Sequence, residues 1–196
     1  MDLGISLAGL ALLSPVLLAI AVLIKLDSRG PVFYRGVRAG RHGNPFRIFK
    51  FRTMVVDAEK IGGPSSSSDD PRITRAGNFL RRYKLDELPQ LLNVVRGEMS
   101  LVGPRPEVIG EVRLYTPEES QLLQIQPGIT DWASIRFRNE GEILRGSSDP
   151  HQTYRERIRP EKIRLGLDYV QNHSFLMDCK IILETLKVLL ESDVKA

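Results

Sequence analysis

Residues 3–24 contain no charged side chain. At about 1.5 Å per residue, a helix of that length can cross the hydrocarbon core of a bilayer. A membrane helix is therefore the first expectation for this chain. A cleaved signal peptide fits poorly, because no basic stretch precedes the apolar run and no small-residue cleavage site follows it directly. The length also argues against a helix buried in a soluble core. Ser14-Pro15 falls in the middle of the run. Proline removes one helical hydrogen bond and crowds the preceding turn, so the helix should bend or break there. The Ser14 hydroxyl can bond back to a carbonyl near Leu10 and offset part of that loss. A kinked span and a re-entrant hairpin both satisfy the hydropathy.

Cations crowd the C-terminal flank of the run: Lys25, Arg29, Arg35, Arg38, Arg41, Arg47, Lys50 and Arg52. This asymmetry puts the flank on the cytoplasmic side. The same charges suit anionic lipid head groups or a phosphate. The formal net charge is +4, which favours an anionic partner. Cys179 is the one cysteine, so no internal disulfide can form. His42, His151 and His173 are scattered and form no metal-ligand spacing.

The stretch with most chemical content is Lys84-Leu85-Asp86-Glu87-Leu88-Pro89-Gln90-Leu91-Leu92. Leu88, Leu91, Leu92 and Val95 recur at helical spacing, which predicts a short helix with one buried face. Pro89 suits a first turn, and Gly97 supplies a stop. Asp86 and Glu87 then lie at a helix N-terminus, beside unpaired amides and the positive end of the dipole. Arg81, Arg82 and Lys84 stand just upstream. A carboxylate in that field is expected to stay ionised, which suits a nucleophile or a metal ligand rather than a general acid. Ordinary first-turn capping acids would look the same in isolation.

The remaining chain reads as short elements. Residues 30–34 and 46–52 look like the two strands of an antiparallel hairpin, the second alternating apolar with basic side chains. That basic face is either simply solvated or an anion surface. Residues 61–71 include four consecutive serines and read as a mobile loop. Pro104 and Pro106 stiffen the backbone around Arg105, making its guanidinium a candidate phosphate or nucleotide clamp, though a plain turn with a surface arginine fits too. Trp132 suits either the membrane interface or the core, and the core is the expectation. Residues 175–190 form an amphipathic closing helix, with Lys180–Glu184 and Lys187–Glu191 pairs on its wet face.

In order and spacing, the Ser14-Pro15 helix, Lys50-Phe51-Arg52-Thr53-Met54, Leu85-Asp86-Glu87-Leu88-Pro89-Gln90, Leu101-Val102-Gly103-Pro104-Arg105-Pro106 and Pro127-Gly128-Ile129-Thr130 resemble the bacterial sugar transferases. These are small monotopic phosphoglycosyl transferases that begin lipid-linked glycan assembly. The resemblance implies a re-entrant membrane helix over residues 1–26, broken at Ser14 and Pro15, and a catalytic domain over residues 27–196 on the cytoplasmic face of the bacterial plasma membrane. It implies Asp86 as the catalytic nucleophile, Glu87 beside it as a catalytic group, both as Mg²⁺ ligands, Arg81 as a phosphate binder, and Pro104, Arg105 and Pro106 as nucleotide contacts. The implied partners are a UDP-sugar, polyprenyl (undecaprenyl) phosphate and the bilayer with its anionic head groups, with no nucleic acid.

Some residues depart from the family pattern. Lys84 stands where a Ser or Thr cap is usual. Asp131 and Ser134 alter the stretch after Pro-Gly-Ile-Thr, and Gly166 replaces an aspartate. The expected fold class is mixed α/β (α+β), mainly helical, with a small antiparallel hairpin and interfacial amphipathic helices. Two other functions remain: a membrane-tethered nucleic-acid binder, which leaves Asp86-Glu87 without a role, and a catalytically inactive scaffold of the same fold.

Overall fold

The computed structural model of the chain describes residues 1–63 and 65–191. Helix α1 (Asp2–Asp27) is a single unbroken element that runs through Pro15, so the expected break at Ser14-Pro15 is absent. Ser14 Oγ donates to the Ala11 carbonyl at 2.8 Å, one residue nearer than anticipated. That bond gives the disturbed backbone a local partner. Among the described residues α1 is the one helix long and apolar enough to cross a membrane. Its buried positions are Ser6, Ile20 and Ile24, whereas Leu12 and Leu26 stand 80% and 82% exposed.

Both ends of α1 are tied to the same globular body. Asp2 Oδ2 accepts from Ser100 Oγ at 2.6 Å and from the Leu101 amide at 3.3 Å. At the other end Asp27 Oδ2 accepts from the Ala76 amide at 3.3 Å. A 26-residue helix is about 39 Å long. It therefore lies along the body rather than projecting from it.

Strands β1 (Phe33–Tyr34) and β4 (Lys50–Phe51) pair antiparallel, and between them β2 (Val37–Ala39) and β3 (Pro45–Arg47) form a second antiparallel pair. The predicted hairpin is thus present, but its second strand is split, with Ile48 and Phe49 buried between the pieces. The split scatters the basic residues over different environments. Arg47 remains exposed and Lys50 turns inward. Arg52 is buried and donates to the carbonyls of Ser28, Arg29 and Pro31 at 2.6–2.9 Å, clamping the exit from α1. Arg35 lies 3.4 Å over the Phe49 ring. The flank is therefore not one free cationic face.

Helix α2 (Ala58–Ile61) is short, and α3 (Arg75–Arg82) begins at Thr74, whose hydroxyl accepts from the Gly77 amide at 3.0 Å. A 3-10 helix over Leu85–Gln90 runs into α4 (Leu91–Val95), and Gly97, at φ 71°, ends it as expected. The buried face is not the predicted apolar stripe. Leu88, Leu91, Leu92 and Val95 are half-buried, while Pro89, Gln90, Asn93 and Val94 are buried. The reason is that α4 packs along α1 on its apolar side. Its inner side is tied by Asn93, which accepts from the Phe49 amide at 2.8 Å and donates to Arg47 O and Glu98 Oε2.

Strand β5 (Ser100–Val102), the short α5 (Ile109–Val112) and β6 (Gly128–Thr130) follow, with β5 and β6 pairing in parallel. Helices α6 (Trp132–Arg136), α7 (Glu140–Ile143), α8 (Pro150–Arg157), α9 (Arg159–Asn172) and α10 (Phe175–Glu191) complete the chain. The main core joins Ile48, Val94, Met99, Leu101, Val102, Tyr169 and Ile181, with Trp132 half-buried against it. A second cluster seats α1, through Ile20 and Ile24, on Phe51 and Leu80. On α10, Leu176, Leu183 and Leu190 are exposed. Lys180 does not pair with Glu184; it lies 5.6 Å from the Trp132 ring, and Glu184 instead meets Lys187 at 4.0 Å. The anticipated Lys187–Glu191 pair lies outside the described side chains.

Gly77 is where α3 meets the strand segment. A Cβ there would sit 2.0 Å from the Thr53 carbonyl oxygen, which already accepts from the Thr74 amide. Backbone cannot yield as a flexible side chain can. Gly77→Ala is therefore expected to lose about 3 kcal/mol, the upper end for overpacking, read as a lower urea midpoint with unchanged slope.

Candidate active site

The 3-10 helix and α3 are consecutive, and both rest on the segment around β4. That arrangement brings Arg81, Lys84, Asp86 and Glu87 to the same side as Lys50 and Thr53. All six line one cleft of about 2020 Å³, together with Arg105, Glu107, Glu111, Glu140, His151, Tyr154 and Lys162. The cleft continues onto an apolar wall that includes Ile5 of α1, Leu91 of α4, and Ile182 and Leu186 of α10.

The two adjacent carboxylates are in different situations. Glu87 Oε1 accepts from Lys50 Nζ and from Arg105 Nη2, each at 2.6 Å, and Oε2 accepts from Arg105 Nη1 at 3.3 Å. Burial works against the ionised form of Glu87, but Arg105 and Lys50 outweigh it and hold the carboxyl well below its usual range. Reciprocally, Glu87 raises the basicity of the Arg105 guanidinium.

Asp86 is 8% exposed, and among the described residues its carboxylate enters no hydrogen bond or ion pair. Burial raises its pKa above the ordinary value; Lys50 opposes that, and the negative Glu87 adds to it. The helix-terminus field expected to favour ionised Asp86 is thus opposed by burial and by Glu87. Glu87 has the direct contacts with Lys50 and Arg105, and a six-residue 3-10 start offers a weaker field than a long helix. The surroundings of Asp86 are nonetheless charged rather than apolar, since Lys50, Arg81 and Lys84 all act on it.

Arg81 donates from Nε to Thr53 Oγ1 at 2.9 Å and from Nη1 to Ser66 Oγ at 2.8 Å. The serine run is therefore docked over the cleft. Ser65 Oγ also meets His151 Nδ1 at 3.0 Å, and the Ser68 amide donates to Gly141 O at 2.9 Å.

Arg105 is delivered by the β5–β6 pair. A Cβ on Gly128 would lie 2.1 Å from the Gly103 amide nitrogen, so only glycine allows the strands this approach. The Gly128 amide then donates to Pro104 O at 3.0 Å and fixes the loop. Pro104 and Pro106 do not line the main cleft. They border a separate small pocket with Tyr115 and Leu122. Their part in the observed geometry is to hold the Arg105 backbone.

Of the residues singled out in the sequence, Arg81, Asp86, Glu87 and Arg105 converge, while Ser14 and Pro15 do not line the cleft. Sequence reasoning placed Lys84 beside Asp86 but did not foresee that Lys50 would pair with Glu87, or that Thr53 and Ser66 would hold Arg81. Lys50 and Thr53 lay inside a recognised motif, and alternation had read Lys50 as an outer-face charge. No pattern in the serine run signals that Ser66 meets Arg81. Among the described residues no group of three or more His, Cys, Asp or Glu could hold a metal ion. The carboxylate oxygens available to a divalent cation at Asp86-Glu87 are those of Asp86 and the weakly engaged Oε2 of Glu87.

A family model described as bacterial sugar transferase matches residues 1–192. The UDP-glucose:undecaprenyl-phosphate glucose-1-phosphate transferase of Caulobacter vibrioides is 41% identical over 186 residues, covering 93% of this chain and 66% of the relative. The protein of the same name from Escherichia coli is 39% identical over 189 residues, covering 94% and 38%. The exopolysaccharide production protein PSS of Rhizobium leguminosarum bv. phaseoli is 42% identical over 192 residues, covering 94% and 90%. This chain thus spans less than two thirds of the two transferases' length, and most of the third relative. The match runs through every motif that builds the cleft, and the chain belongs to the bacterial sugar transferase family.

Proposed function

We propose that this chain is a phosphoglycosyl transferase that moves a sugar 1-phosphate from a UDP-sugar to polyprenyl phosphate at the cytoplasmic face of the bacterial plasma membrane. The observation that carries the reading is the division between adjacent carboxylates: Glu87 is committed to Lys50 and Arg105, while Asp86 is uncommitted and lines the cleft. An uncommitted carboxylate among cations is what a nucleophile facing a diphosphate requires.

In this mechanism Asp86 Oδ attacks the β-phosphorus of the UDP-sugar. The bond from that phosphorus to the bridging oxygen breaks, and UMP leaves with the oxygen and its electron pair. A phosphate oxygen of the polyprenyl phosphate then attacks the phosphorus held on Asp86. The Asp86 oxygen–phosphorus bond breaks, the carboxylate is regenerated, and polyprenyl-diphospho-sugar is the product. Arg81, anchored through Thr53 and Ser66, keeps Nη2 for a phosphate oxygen. Arg105, levelled by Glu87, presents its guanidinium to the nucleotide side of the cleft.

Mg²⁺ suits this site as an ion carried on the diphosphate rather than held in a protein cage, because Mg²⁺ commonly takes one or two carboxylates plus substrate phosphates. Asp86 and Glu87 Oε2 would be its protein ligands. It would offset diphosphate charge and favour ionised Asp86, whose pKa burial raises.

The double attachment of α1 supports a topology with both its ends on one side of the membrane, since Asp2 and Asp27 bond the same body. The exposed apolar faces of α1 and α10 would then rest in lipid beside anionic head groups. A nucleic-acid reading has less support: Arg35, Lys50 and Arg52 of the basic flank are spent inside the fold.

Asp86→Asn should reduce UMP release from UDP-sugars, with polyprenyl phosphate and Mg²⁺ present, at least a thousandfold. Its denaturation midpoint should not fall, because the replaced carboxylate was buried and unpaired. Substantial residual turnover would refute the nucleophile. Chelation by EDTA should abolish UMP release, and added Mg²⁺ should restore it. The melting temperature of the nucleotide-free protein should not respond to EDTA, as expected when no cage is preformed. In a Cys179→Ser background, Gly4→Cys and Arg29→Cys should both react with an impermeant thiol reagent from the cytoplasmic side alone; labelling from opposite sides would rule out the shared-side topology.

A further inference from the structure

Lys84 is a cleft cation to which the proposed chemistry gives no task, and it is poorly suited to its own backbone. Lys84 has φ 57° and ψ 22°, the left-handed region. A side chain bearing a Cβ adopts it at a steric cost, which glycine avoids and asparagine lessens. Lys84 also occupies the N-cap of the 3-10 helix, where an acceptor would satisfy an amide. Lysine has no acceptor, and no side-chain cap bond forms.

The ammonium group gains nothing visible in return. Among the described residues Lys84 Nζ enters no hydrogen bond, ion pair within 4 Å, or ring contact. The other cations close to Asp86 are all engaged: Lys50 and Arg105 by Glu87, and Arg81 by Thr53 and Ser66. Lys84 is half-buried, so part of its hydration has been removed without a replacing partner. A residue that breaks conformational, capping and pairing preferences together is compensated by something the protein alone does not contain.

Its position says what that is. Lys84 lines the cleft two residues before Asp86. Its neighbour Leu85 packs on the cluster that seats α1, with Ile20, Ile24, Phe51 and Leu80. Lys84 therefore stands where the apolar helix meets the charged part of the cleft. The cleft that Lys84 lines also carries the apolar wall of Ile5, Leu91, Ile182 and Leu186, so an anion on an apolar chain seated on that wall shares one cleft with the Lys84 ammonium.

We propose that Lys84 is the seat for the phosphate of the polyprenyl acceptor, a positioning residue that holds the phosphomonoester beside Asp86. The inference rests on the transferase reading above and adds to it the residue that receives the lipid phosphate. It also accounts for lysine at a position where serine or asparagine would make the more stable turn.

The test compares wild type with Lys84→Asn and Lys84→Arg in detergent. Asparagine tolerates the left-handed backbone and can cap, so Lys84→Asn should melt no lower than wild type, which separates loss of function from loss of fold. Its KM for polyprenyl phosphate should rise at least tenfold, well beyond any change in the acceptor-free release of UMP. Lys84→Arg should recover most of the acceptor KM. Binding of a short prenyl phosphate, followed by Trp132 fluorescence with the neutral prenol as control, gives a readout independent of turnover. Wild type should prefer the phosphate, and Lys84→Asn should lose that preference. A drop confined to acceptor-free UMP release would assign Lys84 to the donor and overturn the proposal, as would an unchanged acceptor KM and binding preference. If wild type shows no transfer but keeps the Lys84-dependent preference, the transferase reading fails while the phosphate seat stands.

Discussion

The site depends on one three-membered ion pair. Glu87 joins Lys50 of β4 to Arg105 of the loop after β5, so three separate parts of the chain meet at a single carboxylate. All three groups are largely withdrawn from water, and that withdrawal has a large desolvation cost. Attraction at 2.6 Å offsets it only while every partner is present. The arrangement is consequently more informative about position than about net stability. It fixes where β4, the 3-10 helix and the Pro-Arg-Pro loop stand relative to one another.

Asp86 acquires its properties from that pairing. Two adjacent carboxylates in one field cannot both be fully compensated by the same cations. Glu87 has the direct contacts, and Asp86 is left with longer-range attraction and the burden of burial. The outcome is one ion-paired and one unpaired carboxylate from two neighbouring residues. Arg81 and Lys84 border the reactive one in opposite states, Arg81 held by two hydroxyls and Lys84 held by nothing among the described residues.

The same body also governs α1. A long apolar helix would ordinarily be free to stand across a bilayer, but Asp2 and Asp27 bind it at both ends and Ile20 and Ile24 pack beneath it. One flank of the cleft is therefore apolar and continuous with the helix surface, and the other is charged. A lipid-borne phosphate and a soluble nucleotide have opposite solvent preferences, and a boundary of this kind is where both can be satisfied.

Much of this was legible in the residues alone. Period and length identified α1 and α10, Gly97 marked the end of α4, and the motif set pointed to Asp86, Glu87, Arg81 and Arg105. These features are local: they depend on side-chain type and spacing within one turn or strand. What the chain order could not convey was which charges would meet. Lys50 read as an outward strand residue until a split between β3 and β4 turned it inward, and Arg52 read as a lipid or phosphate contact until it was found holding three carbonyls. The buried face of α4 likewise went to Gln90 and Asn93 because α1 occupies the apolar side. Pairing between residues 37 and 55 positions apart, such as Lys50–Glu87 and Thr130–Thr185, is decided by how elements pack in three dimensions. The sequence alone determined the family, the apolar helix and the acidic pair. Tertiary packing decided which carboxylate was neutralised by cations and which was left without a direct partner, because coulombic and desolvation energies depend on distance and burial rather than on order along the chain.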